Sequence, residues 1–150
     1  MLAIDGRARH NGRSGRGPIS RVVQGRGVHL IPREDGRILV GSTVEEVGFR
    51  SSPTPRGVGW LIESATALVP VLADLPLVET WAGFRPGTPD HLPIIGPDPD
   101  LAGLCYATGH FRNGILLAPL TAQAVADLLL EGVTQPLLEP FGIGRFRRGA

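Results

Sequence analysis

The sequence predicts an α+β fold (α/β mixed), on three observations. Two short apolar runs, Val28–Ile31 and Ile38–Val40, flank Asp35-Gly36, a pair that tolerates the backbone of a tight β-turn. Between Val58 and Leu72, apolar residues recur at spacings of three and four, the period of a helix with one buried face. Towards the carboxyl end, a short apolar segment, a glycine-bounded turn and a long apolar run read as strand, loop and helix. With 42% hydrophobic and 19% charged residues, a chain of 150 residues has the means to build a packed core.

Residues 1–17 show neither period and are rich in Gly and Arg, which predicts a disordered basic leader. Six Arg stand against the single acid Asp5 in residues 1–26, an excess suited to nucleic acid. No aromatic side chain accompanies residues 1–17 for stacking, so a solvated leader is the preferred reading and no nucleic-acid partner is expected. Strands are expected near 26–32 and 37–43, and a Ser/Pro/Gly loop over 48–57. Thr54-Pro55 has the form of a helix N-cap followed by proline at the first helical position, and Pro70 should end or kink that helix. Leu77–Phe84, Pro93–Pro97 and Leu104–Thr108 read as strands, and Ile115–Glu131 as a long helix stopped by Gly132. Residues 133–150 have a weak pattern and end in a basic tail, 144–150.

Composition excludes several chemistries. Every basic residue is Arg, so no lysine amine is present to form a Schiff base. Cys105 stands alone, which rules out an internal disulfide, and it reads as a small buried hydrophobe in its strand. The four histidines lack metal-ligand spacing, so no metal is expected. No signal peptide follows Met1, and no uninterrupted apolar run reaches the ~18 residues of a membrane span, so a cytoplasmic location and no membrane span are expected.

Three segments have the residues for a binding site. Arg85 follows an apolar strand and precedes a proline-locked loop. It can clamp a carboxylate with two parallel hydrogen bonds, or staple its own loop through Asp90; residues alone leave both readings open. Gly109-His110-Phe111-Arg112-Asn113-Gly114 leads into a helix, whose first amides stabilise negative charge. The same residues also suit a plain tight turn. His29, on a sheet face, is by residue type more often structural than catalytic.

Three stretches, in order, resemble the glycine oxidases of thiamine biosynthesis, within the D-amino-acid oxidase group of FAD-dependent oxidoreductases. They are Val28–Glu46, Trp81-Ala82-Gly83-Phe84-Arg85-Pro86 and Gly109–Pro119, within a similarity spanning roughly residues 18–143. The resemblance implies an antiparallel substrate-domain sheet, with 18–84 as part of the substrate-binding domain. It implies that 85–143 supply the closing strand and helix of the FAD-binding domain. It further implies FAD as cofactor, with His110, Phe111, Arg112, Asn113, Gly114, Ile115 and Leu116 around the flavin ring. The same resemblance implies that Arg85 anchors the substrate carboxylate and that Arg112 and His29 lie on the substrate side. The implied reaction is oxidative deamination of glycine or another small amino acid with oxygen as acceptor. The family is often oligomeric.

Two departures shape the expectation. The family usually has tyrosine where this chain has His29, and no Gly-x-Gly-x-x-Gly fingerprint of a dinucleotide-binding half is present. The chain is therefore expected to be a carboxyl-terminal fragment, inactive alone. A separate chain supplying the missing half, a nonenzymatic remnant, and a sarcosine oxidase or D-amino-acid dehydrogenase relative are the alternatives.

Overall fold

A computed structural model of the chain describes residues 1–7 and 17–147. Two units divide it, Met1–Phe84 and Arg85–Ala150. In the first, five strands form one sheet: β1 (Leu2–Asp5), β2 (Val23–Gly25), β3 (Val28–Pro32), β4 (Arg37–Gly41) and β5 (Leu77–Thr80). Their order is β2-β3-β4-β1-β5, and every neighbouring pair is antiparallel.

Alternation sets the buried face. Leu30 pairs with Val40, and Val40 with Leu2, so one row of apolar side chains crosses three strands. Val28, Leu30, Ile38, Val40, Leu2 and Ile4 are buried there under Leu61 and Ala65 of helix α1 (Pro55–Leu68) and under Leu72. Thr54 caps α1 as its sequence predicts, its hydroxyl accepting from the Gly57 amide at 3.1 Å. Helix α1 stops at Leu68, and Pro70 opens a 3-10 turn over Pro70–Asp74.

The expected leader is corrected at its start. Leu2–Asp5 is an inner strand between β4 and β5, with Leu2 and Ala3 fully buried. The Met1 amine donates to the Trp81 carbonyl at 2.9 Å, fixing the chain start beside the end of β5. Three apolar residues are too few to show a period, and their partners are distant in sequence, so local patterning misses the strand. The expectation for residues 8–16 lies outside the described residues. β2 was also unforeseen: Arg26 and Gly27, at φ of 47° and 76°, form the tight turn joining it to β3.

In the second unit, β6 (Ile94–Pro97) and β7 (Cys105–Thr108) form an antiparallel pair that precedes helix α2 (Gly114–Glu131). Gly132 ends α2 in the left-handed conformation, φ 69°, its amide donating to the Leu128 carbonyl at 3.1 Å. Ile95, Ala124 and Leu138 make a small core with Val125 and Phe141.

The tail expectation is corrected as well. Pro136–Phe141 and Ile143–Phe146 are 3-10 turns that return to the β6 side, and Arg145 is anchored there. Residues 148–150 lie outside the described residues. By length and composition alone α2 is apolar enough to cross a membrane, although Thr121, Gln123 and Asp127 interrupt its apolar run.

Ile4 is 4% exposed in the middle of the sheet. Ile4→Ala is expected to lower stability by about 2–5 kcal/mol in urea unfolding. A change within ~0.5 kcal/mol, as for a solvated leader, would return residues 1–7 to that reading.

Candidate functional site

β7 hands the chain to α2 through a turn under unusual backbone constraint. Gly109 has φ 78°, and a Cβ there would lie 2.7 Å from the Thr88 methyl and 3.4 Å from the Ile94 amide nitrogen. Only glycine lets the turn come this close to the Thr88 loop. Phe111 holds φ 51° without being glycine. Its amide donates to the Pro86 carbonyl at 3.0 Å, and its ring stands 6.0 Å from that of His91, itself at φ 60°. The Arg112 guanidinium carbon lies 5.7 Å from the Phe111 ring centroid.

Asn113 closes the turn by donating its amide to the His110 carbonyl at 2.9 Å, and its own carbonyl accepts the Leu117 amide at 2.8 Å. The amides of Gly114, Ile115 and Leu116 therefore precede the first helical hydrogen bond, and no side chain caps them. α1 contrasts with this, since Thr54 covers its start. Ile115 and Leu116 are exposed at 95% and 78%. His110 turns back along the helix, its Nε2 3.0 Å from the Thr121 hydroxyl. Beside α2 runs a groove of about 700 Å³, walled by Ala107, His110, Gly114, Ala118, Thr121 and Val125 among others.

Arg85, exposed, leads directly into the Pro86 loop that receives Phe111. Asp90, the acid considered as its staple, has its carboxylate in the fork of Arg145: Nε to Oδ2 at 2.6 Å and Nη2 to Oδ1 at 3.2 Å. These bonds, with the Leu92 amide and the Thr88 hydroxyl, hold the Asp90 carboxyl far below the usual carboxylate range, against the opposing effect of burial. Thr88 bonds the same carboxylate and the Leu92 carbonyl, at 3.0 and 2.7 Å. Arg85, Arg112 and His110–Leu116 thus share the second unit. His29 belongs to the first, exposed on the sheet face opposite α1. Thr88, His91 and Arg145 were missed in the sequence. Gly87-Thr88-Pro89-Asp90 carried a turn signal, but Arg145 lies in a segment read as a weakly patterned tail with a basic end.

A second cluster lies at the other end of the hairpin. Asp98 accepts from the amides of Asp100 and Leu101, at 2.8 and 3.0 Å, and from the Tyr106 hydroxyl at 2.8 Å, with Arg147 close by. The Asp100 amide, then the Tyr106 hydroxyl, hold the Asp98 carboxyl below its ordinary value, while bonding to Asp98 pushes the Tyr106 phenol up. It is a structural knot in which each acceptor is occupied.

Residues 1–128, which include this turn, the helix start and the Arg85 loop, fit the FAD dependent oxidoreductase (DAO) family. The chain belongs to this family. The match begins at residue 1, earlier than the similarity near residue 18 read from the motifs. Among curated relatives, the bifunctional protein ThiO/ThiG of Trichormus variabilis is 47% identical over 133 residues, covering 89% of this chain and 20% of that protein. The glycine oxidase of Pseudomonas aeruginosa is 45% identical over 122 residues, covering 81% of this chain and 33% of the enzyme. The chain therefore spans a third or less of the length of these relatives.

Among solved structures, the glycine oxidase of Geobacillus kaustophilus superposes with a TM-score of 0.74 at 34% identity, covering 95% of this chain and 36% of that one. An L-proline dehydrogenase from P. horikoshii gives a TM-score of 0.72 at 30% identity, over 82% of this chain and 33% of that one. FAD is the cofactor of the family. The residues fit such a group where it needs a protein partner: uncapped amides at a helix start, glycines permitting close approach, and an apolar groove alongside.

Acid should expose the Asp90 link. Its carboxyl is held low in the folded chain, so the stabilisation is complete above about pH 4 and fades as pH falls further. The melting temperature of Asp90→Asn is expected to fall below the wild type at pH 6. That gap should narrow steadily from pH 4 to pH 2. A gap independent of pH would show that the ion pair contributes nothing through its charge.

Proposed function

We propose that this chain forms the substrate-anchoring and flavin-facing part of an FAD-dependent oxidase of glycine or another small amino acid. The uncapped start of α2, locked beside the Arg85 loop through the Phe111–Pro86 hydrogen bond, carries the reading. In it the amides of Gly114, Ile115 and Leu116, with the helix dipole behind them, face the electron-rich edge of the flavin ring and stabilise its negative charge. His110, Phe111, Arg112 and Asn113 shape the turn that covers the ring. Arg85 grips the substrate carboxylate as a two-pronged donor, with Arg112 on the substrate side. FAD, when bound, would supply the acceptor for the hydride leaving Cα as the amine becomes an imine, with oxygen then reduced to hydrogen peroxide. What remains for the protein is orientation: to hold the carboxylate, keep the amine neutral and aim Cα–H at the ring.

Under the same reading, 18–84 belong to a substrate-binding domain and 85–143 to an FAD-binding domain. The exposed apolar side of α2 then docks on a dinucleotide-binding portion, carried by the same polypeptide or by a separate chain. A membrane fits α2 less well: Asp127 and Gln123 bond each other at 2.6 Å on the helix, and Ala124 packs on Ile95 and Leu138. Water-soluble, cytoplasmic function is part of the proposal. Two features keep a rival within the family. The place usually held by tyrosine is His29, and the neighbouring folds include an L-proline dehydrogenase and an iminodiacetate oxidase from Chelativorans, so a secondary amine is the alternative substrate.

Flavin retention tests the core of this reading. The 150-residue chain, passed through gel filtration with excess FAD, is expected to keep little flavin. Co-expression with the dinucleotide-binding portion of a glycine oxidase should bring perturbed visible flavin bands into the protein peak. A colourless complex under both conditions would reject the flavin assignment. In the flavin-loaded assembly, Arg85→Ala should raise KM for glycine about 10- to 100-fold, the ~1.5–3 kcal/mol of a charged hydrogen bond, with flavin content unchanged. An unchanged KM would remove Arg85 from the carboxylate site.

A further inference from the structure

Arg145 lies in the carboxyl-terminal 3-10 turn, yet its guanidinium holds the loop that follows Arg85. Five hydrogen bonds leave it. Two go to the Asp90 carboxylate at 2.6 and 3.2 Å, and Nη2 also reaches the Leu92 carbonyl at 2.9 Å. Nη1 donates to the carbonyls of Phe141 and Gly142 at 2.9 and 3.2 Å. Guanidinium has five N–H donors, so each is used. The Phe146 ring covers the guanidinium from 4.2 Å, and the side chain is only 18% exposed. A solvated tail arginine has no cause to satisfy all its donors within the protein.

The loop so gripped bears directly on the turn into α2. Asp90 and Leu92 bracket His91, whose ring meets Phe111 and whose own φ is positive. Thr88 links the Asp90 carboxylate and the Leu92 carbonyl, and its methyl occupies the space left by the missing Cβ of Gly109. Pro86, next to Arg85, accepts the Phe111 amide. Two non-glycine residues at positive φ persist only where surrounding contacts over-determine them.

We propose that Arg145 is a positioning residue, whose clamp on Asp90 and Leu92 presses the Arg85–Leu92 loop onto the Gly109–Asn113 turn and so fixes the spacing between Arg85 and the open amides of α2. The clamp rests on the function proposed above for its meaning, but its geometry is independent of flavin. It also assigns a purpose to a bidentate arginine, since an ammonium cannot hold a carboxylate and three carbonyls from one point.

Hydrogen exchange, resolved by amide in the labelled 150-residue chain, tests it. The reporter is the Phe111 amide, bonded to Pro86. The control is the Asp98 amide, bonded to Leu104 at 2.9 Å at the far end of the hairpin, beside Arg147. In Arg145→Ala, exchange at Phe111 is expected to rise about tenfold or more, with Asp98 changed by less than about twofold. Arg147→Ala should reverse the pattern, and Arg145→Lys should resemble Arg145→Ala. Equal acceleration at both amides, no acceleration at Phe111, or full protection in Arg145→Lys would overturn the proposal. The expected exchange in this chain, together with a co-expressed complex that stays colourless, would refute the functional reading and leave the clamp standing.

Discussion

The turn between β7 and α2 has to satisfy two demands that oppose each other. Its helix start is open, with amides unfilled by any side chain, and its backbone is nevertheless rigidly held. Uncapped helix ends ordinarily fray, because the first amides have only water as partner. Here rigidity comes from outside the helix. Gly109 sits against Thr88, Phe111 bonds Pro86, and the His110 ring reaches Thr121 a few turns along α2. The polar groups that a cap would occupy remain available to a ligand, while loops on the other side carry the order. Positive φ at Phe111 and His91 is the local cost of that arrangement.

The two helices of this chain start in different ways. Thr54 and Pro55 complete α1 locally: the hydroxyl fills the Gly57 amide, and proline removes a donor that has no partner. Nothing further is asked of that end, and the helix contributes its Leu61–Ala65 face to the core. α2 begins with Asn113, a residue type able to cap, in a backbone conformation that leaves its side chain out of that role. The difference lies in backbone geometry rather than in residue type, which makes the second helix start the one fitted to an external negative charge.

Elements held by neighbouring residues were legible in the sequence. The Asp35-Gly36 hairpin, the Thr54 cap, the end of α1 before Pro70 and the Gly132 stop each depend on residues within a few positions, and each stands where the pattern puts it. The motifs led correctly to the FAD-dependent family. What was missed depends on distant partners. Leu2–Asp5 is a strand only because β4 and β5 flank it, and Arg145 is an anchor only because Asp90 waits in another loop. Composition hid both: one lay beside glycine and arginine and read as a solvated leader, the other in a weakly patterned basic end.

Helix α2 likewise takes its meaning from what packs on it. Its apolar residues continue around much of the helix, but within it only Thr121 and Ala124 are buried, Ala124 in a small core with Ile95 and Leu138. Large exposed apolar surface on a long helix is costly in water. The surface is not uniform, however. Small residues Gly114, Ala118 and Ala122 follow one another at helical spacing along the groove wall, whereas Leu129 and Leu130 project near the far end. Small side chains let another backbone come close, and large ones fill gaps in a packed partner; lipid tails require neither. A protein surface of matching relief is therefore the better complement to this face. The uncapped amides stand at the same helix end as that close-approach wall, so whatever packs there also shields those amides from water.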